Sequence, residues 1–191
     1  MAKIAILSIP HTGTHFVHSL FDGPFPIKIY KDHQAPRHII HPAHIFDMSV
    51  FEYMNLEGYQ IVVPIRHPIT TTRSWVNWFK AKKEGTKKIQ VADHITIRDE
   101  YNHPDMVIPL YQKLIFVDGM YDINYLPIDS PKRQEYLERM NQNLNTSIRT
   151  SWKPINSIGA HEEEIPPELL ERTKAFINDN KQFFNKFYPD V

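Results

Sequence analysis

Three apolar runs of strand length divide the chain: Ile4 to Ile9, Gln60 to Arg66, and Ile123 to Ile128. Each is too short for a helix and stops at a turn-forming residue or a charge, as buried strands do. Between and after them the apolar positions switch to helical spacing. Phe16, Val17 and Leu20 follow the first run, and Ile69, Thr72, Trp75, Val76 and Phe79 follow the second. The second of these helices opens at Pro68, where a missing N–H costs nothing, and runs to about Glu84 before Gly85. A helix from Pro131 to Leu144 turns Tyr136, Leu137, Met140 and Leu144 inward, and Pro166-Pro167 opens a final amphipathic helix ending near Tyr188. Strand, turn and helix in alternation predict an α/β fold with a parallel sheet.

Weaker segments fill the gaps. Ile27 to Tyr30 reads as a short strand that ends in Lys31-Asp32-His33, and Phe46 to Leu56 as a helix. His38, His41 and His44 would line one face of a helix, the spacing of a metal site, but Pro42 interrupts any such helix. No carboxylate or cysteine stands at a ligand spacing beside them, so this stretch is predicted as a surface or acceptor-side loop. Residues 86–119 are the least readable. Val107 to Leu114 is helical by pattern, and Tyr111, Phe116 and Tyr121 are assigned to the core ahead of an acceptor pocket.

Composition narrows the partners. At 191 residues, one domain spanning 1–191 is expected, since two full cores would not fit. Lys plus Arg equals Asp plus Glu at 22 each, so no global field favours nucleic acid or an acidic membrane. Any phosphate pocket must then be basic only locally. The Lys80-Ala-Lys-Lys83 run suits the end of a helix and carries no nucleic-acid module with it. There is no cysteine, which excludes disulfides and thiolate-bound zinc. A strand that begins by Lys3 leaves no room for a signal peptide, and no apolar run reaches membrane length. A cytoplasmic protein without a membrane anchor is the expectation.

The chemistry concentrates in two places. Pro10-His11-Thr12-Gly13-Thr14 turns the chain between a strand and a helix, an arrangement that offers backbone N–H groups to an anion. Gly13 would let a phosphate approach, and Thr12 and Thr14 would add hydroxyls. The nucleotide-triphosphatase pattern Gly-x4-Gly-Lys-Ser/Thr is absent, and an ordinary strand-to-helix turn is the competing reading. In Arg66-His-Pro-Ile-Thr-Thr-Thr-Arg-Ser74, the arginine stands at a strand's carboxyl end and the serine about two turns into a helix. Both can face the crevice in which open α/β sheets bind ligands.

Together, Pro-x-Thr-Gly-Thr-x-Phe and Arg-x-Pro-x5-Ser resemble the sulfotransferase superfamily, whose donor is 3′-phosphoadenosine 5′-phosphosulfate (PAPS). The resemblance implies a three-layer parallel sheet with flanking helices, the P-loop-like sulfotransferase architecture. It further implies that Thr12, Gly13, Thr14 and His15 meet the 5′-phosphosulfate and that Arg66 and Ser74 meet the 3′-phosphate. Lys31 and His33 match the family's Lys-x-His, in which the histidine is the catalytic base and the lysine touches the transferred group. The loop Pro154 to Gly159 stands where relatives close over the 3′-phosphate and adenine. Ile158 and Gly159 are its candidates there, and Lys153 or His161 could supply charge, although the family's Arg-Lys-Gly is missing. The strand–turn–helix that commonly reads Arg-Tyr-Glu-Asp-Leu keeps only its general shape here.

Relatives usually carry lysine where this chain has His11. The expectation is sulfuryl transfer from PAPS to a hydroxyl or amine acceptor of unknown class, leaving the desulfated nucleotide PAP and using no metal. Two alternatives stand beside it. One is a degenerate module that binds PAP and transfers nothing. The other is a different phosphate-handling enzyme, kinase-like or a histidine-metal hydrolase.

Overall fold

A computed structural model describes residues 2–13, 16, 17, 20, 21, 38–45, 48–83, 103–144 and 164–189. Four strands form one sheet: β1 (Ala2–Ser8), β2 (His38–His44), β3 (Gln60–Ile65) and β4 (Ile123–Pro127). Their order is β2-β1-β3-β4, and every pair is parallel, with Ile4 opposite both Ile40 and Gln60, and Ile61 opposite Ile123. The α/β class therefore holds.

A parallel sheet has to be covered on both faces. Residues Ile4 to Leu7 are fully buried. They alternate between two apolar clusters, as side chains on a pleat must. Ile4, Ile6, Val62 and Leu126 pack with Phe16, Val17, Leu20 and Phe21, which are helical, and with Leu137, Met140 and Leu144 of a helix at Arg133–Leu144. Ala5, Leu7, Val63 and Ile65 pack on the opposite side with Trp75, Tyr111, Leu114, Phe176 and Phe184. The helices are α1 (Ser49–Leu56), α2 (Pro68–Lys83), α3 (Val107–Val117), α4 (Arg133–Leu144), α5 (Pro167–Asp179) and α6 (Lys181–Phe184). Helices thus cover both sheet faces.

Several sequence expectations change. The 38–44 stretch is strand and not loop. A proline inside a strand is tolerated at a sheet edge, where its missing N–H interrupts no ladder, and β2 is an edge strand. The helical spacing that brought a histidine metal site into question therefore does not apply. The final helix is two helices. Asn180 leaves helical geometry at φ −118° and ψ 28°, and its side-chain amide donates to the Phe176 carbonyl at 2.8 Å. That break redirects the chain so that Phe183, Phe184, Phe187 and Tyr188 reach the core. Phe79 is not inward but 37% exposed, edge-on to His103. The inward face of α2 is Pro68, Thr71, Thr72 and Trp75.

Of the three aromatics assigned to the core, Tyr111 is core as expected and Tyr121 is half-buried, but Phe116 is 62% exposed and does not belong to it. The short strand expected at Ile27 to Tyr30 and the loop Pro154 to Gly159 lie outside the described residues.

Candidate functional site

From β1 the chain passes to β2 on one side and, later, to β3 and β4 on the other, so the sheet order reverses between β1 and β3. Ligands of open α/β sheets bind outside the carboxyl ends of the strands at such a point. The segments that leave those two ends are the turn His11–Gly13 and the pair Arg66-His67. The fold brings together the two stretches that the sequence singled out. Arg66 Nη1 donates to the His11 carbonyl at 3.2 Å, across 55 residues of chain.

The turn is held by its own atoms. The Thr12 hydroxyl donates to the Ile9 carbonyl at 2.6 Å, and the Thr12 N–H donates to the same oxygen at 3.2 Å. Thr12 is fully buried, so it closes the turn instead of presenting a donor to a ligand. This departs from the direct phosphosulfate contact expected of it. His11 has φ 66°, unusual for a residue with a side chain. Its ring is half-buried and packs against Trp75 at 5.2 Å and Trp78 at 5.7 Å, both from α2. It is not a histidine standing in solvent.

Gly13 has φ 97°, and its carbonyl accepts from the Val17 N–H at 3.0 Å, which starts the helix. The N–H groups that open a helix lack intrahelical acceptors, the feature on which anion sites are built. A Cβ at Gly13 would stand 2.5 Å from Ile128 Cδ1. The neighbour that needs a glycine here is therefore the Ile128 side chain, from the turn after β4. Gly13→Ala should lower unfolding stability by about 1–3 kcal/mol, measured by urea denaturation, because the backbone strain persists even if Ile128 moves. Adding Ile128→Val, which removes the clashing methyl, should recover only part of that loss. An unchanged midpoint for Gly13→Ala would show that the turn has another conformation.

Arg66 follows β3 directly and is half-buried. Its Nε is buried without a hydrogen-bond partner, and no carboxylate lies within ion-pair distance of it among the described residues. A buried donor left unsatisfied costs about 1–3 kcal/mol, and more when charged. Ser74 is half-buried on α2, at the seventh helical position.

The peptide that joins Arg66 to His67 is gripped from both sides. The Tyr111 hydroxyl donates to the Arg66 carbonyl and also lies 3.0 Å from Thr71 Oγ1. The His67 N–H donates to the Asp129 carboxylate, at 3.0 and 3.2 Å to its two oxygens. Asp129 Oδ1 accepts in turn from the Tyr188 hydroxyl at 2.6 Å. Burial pushes the Tyr111 and Tyr188 phenols far up, so both stay protonated and act as donors. Burial also lowers the His67 imidazole below its usual value, against the opposing pull of Asp129. The neutral ring accepts from the Ile69 N–H at Nδ1, 3.3 Å away, and meets Tyr188 edge-on. Asp129 could have been found by the rule that selected Arg66, because it too follows a predicted strand. Nothing local in the sequence marks Tyr188.

Thr14, His15, Lys31, His33, Ile158 and Gly159 lie outside the described residues, as do Lys153 and His161. Away from the strand ends, a groove of about 250 Å³ runs along the edge of β4, lined by Asp118, Tyr125, Tyr136, Arg139 and Lys186 among others. Its polar groups are matched internally. Lys186 pairs with Asp118, Tyr125 Oη donates to Asp118 at 3.0 Å, and Asn143 donates to Asn124 at 3.1 Å. No unmet donor there asks for a ligand.

No helix among the described residues is long and apolar enough to cross a membrane. No protein-family model matches the chain, and no curated protein matches it.

Proposed function

We propose that the protein is a PAPS-dependent sulfotransferase of the P-loop-like type, acting in the cytoplasm on a hydroxyl or amine acceptor. One observation carries the reading: Arg66 has an unmet buried donor and no carboxylate within ion-pair distance among the described residues, and it is held against the His11–Gly13 turn where the sheet order reverses. A guanidinium in that state fits a dianionic phosphate, which takes two parallel N–H···O bonds.

In this reading Arg66 and Ser74 hold the 3′-phosphate, and the N–H groups that open the helix after Gly13, with Thr14 and His15, hold the 5′ end. The acceptor oxygen or nitrogen forms a bond to sulfur as the bond from sulfur to the bridging phosphate oxygen breaks. The acceptor's proton passes to His33, and PAP leaves with the bridging oxygen's negative charge. A donor near that oxygen stabilises the charge as it forms. His11 takes the role usually played by lysine, with Lys31 as the second candidate cation. Ile158 and Gly159 close over the nucleotide. The reaction asks the protein for alignment and charge stabilisation, and no metal enters it.

His11→Ala should slow transfer by about tenfold while PAP affinity changes little, because the charge it meets develops mainly in the transition state. Turnover and PAP titration on the same preparation measure the two effects. An unchanged rate would move the cationic role to Lys31.

A second reading is supported by the turn itself. Thr12 spends its hydroxyl on Ile9, and the His11 ring packs on two tryptophans, so the 5′ side commits side chains that a donor site would use. A module that binds PAP and transfers nothing would look like this. Metal-independent consumption of PAPS in an acceptor screen separates the two: turnover supports transfer, and tight PAP binding with no turnover against any acceptor supports the module. Turnover only with magnesium or zinc would favour a different phosphate enzyme.

A further inference from the structure

We propose that Tyr111 and Asp129 are positioning residues that aim Arg66 at its anion, by clamping the peptide between Arg66 and His67 from opposite sides. The inference rests on the anion-site reading of Arg66 and adds how that site is set. In a trans peptide the C=O and N–H point in opposite directions, and no peptide of the described chain is cis. Tyr111 takes the carbonyl end and Asp129 the N–H end. Each clamp is itself braced, Tyr111 against Thr71 on α2 and Asp129 by the hydroxyl of Tyr188. The brace on Asp129 extends to the end of the chain. Ser130 Oγ, next in sequence, donates to the Phe187 carbonyl, and Tyr136 Oη donates to the Lys186 carbonyl at 2.9 Å.

A plane held at both ends cannot rotate about the chain, so the Cα–Cβ direction of Arg66 is set before a ligand arrives. A long side chain that points at one target from a fixed base loses less freedom on binding. The helix Pro68–Lys83 starts at the next peptide, whose His67 carbonyl accepts from the Thr71 N–H at 2.9 Å. The clamp therefore also fixes the helix that carries Ser74 relative to Arg66. Neither Tyr111 nor Asp129 has to touch the ligand. Asp129 in particular would repel it.

The test compares PAP with adenosine 5′-monophosphate, which lacks the 3′-phosphate, on wild type, Tyr111→Phe, Asp129→Ala, Asp129→Asn and Tyr188→Phe. Each clamp lost should weaken PAP by about fivefold to tenfold and leave the monophosphate within about twofold. Asp129→Asn keeps an oxygen for His67 and Tyr188, so it should restore wild-type PAP affinity or exceed it, because it removes a negative charge. The double variant Tyr111→Phe with Asp129→Ala should lose less than the product of the two single losses, because both act on one peptide. Loss of both ligands in equal measure, or an asparagine variant as weak as alanine, would overturn the proposal.

A ligand-free measurement keeps the two claims apart. Hydrogen exchange of the His67 amide, followed by NMR, should quicken by about tenfold in Asp129→Ala and stay slow in Asp129→Asn. Unchanged exchange in the alanine variant overturns the clamp whether or not PAP binds. Slow exchange that quickens as expected, in a wild-type protein that takes up no PAP, leaves the clamp standing and removes the nucleotide reading.

Discussion

Replacing Arg66 by alanine should weaken PAP by about tenfold to a hundredfold, the value of a charged hydrogen bond to phosphate. Adenosine 5′-phosphosulfate, which has no 3′-phosphate, should lose far less. The asymmetry follows from where Arg66 sits. Its Nη1 is engaged by the His11 carbonyl, and no carboxylate among the described residues neutralises the guanidinium, which leaves its charge to a phosphate. Arg66→Lys should recover only part of the loss, because a point charge cannot make the two parallel bonds of a guanidinium. The Arg66→Ala protein should also fold at least as stably as wild type, since it removes an unmet donor at the cost of one bond to His11. Equal losses for the two ligands would take Arg66 out of the 3′-phosphate site.

His33→Ala should reduce turnover by about a hundredfold or more, with PAP affinity nearly unchanged. The residue belongs to the resemblance, as the histidine of Lys31-x-His33, and not to the described geometry. Its chemistry is nevertheless specific enough to test. An imidazole accepts a proton only when neutral, so the wild-type rate should fall as acid protonates the ring and level off once it is neutral. In the alanine variant that acidic limb should vanish. A variant with wild-type turnover on a confirmed acceptor would sink the assignment, and Asp32, its chain neighbour, would be tested next.

Much of the sheet could be read from sequence because three of its strands are continuous apolar runs, as burial on both faces requires. β2 could not. Three histidines and Pro42 in seven residues read as a loop, and only a place at the sheet edge makes them acceptable in a strand. The last helix was legible at its start, where Pro167 sits in the first turn. Its end was not, because the break at Asn180 is set by where four aromatic rings must go.

The convergence of Arg66 with the His11–Gly13 turn was readable, since residues that follow neighbouring parallel strands meet at one end of a sheet. The fate of the turn's side chains was not. Thr12 looks like a ligand contact in sequence, and its hydroxyl proves to bond the Ile9 carbonyl, while the room a side chain at Gly13 would need is taken by Ile128. The clamp on the Arg66–His67 peptide was equally hidden. Its partners lie 45 residues away at Tyr111 and 62 at Asp129, and Tyr188 lies 59 beyond that. Contacts of that range depend on the finished fold and leave no local pattern.

The most direct measurement of the central claim is calorimetric titration of the wild-type protein with PAP, without added metal, beside adenosine 5′-monophosphate. The account predicts one PAP site per chain, bound at least about tenfold more tightly than the monophosphate, the difference being the 3′-phosphate held by Arg66. Equal affinity for the two nucleotides, or no uptake of PAP, would contradict it.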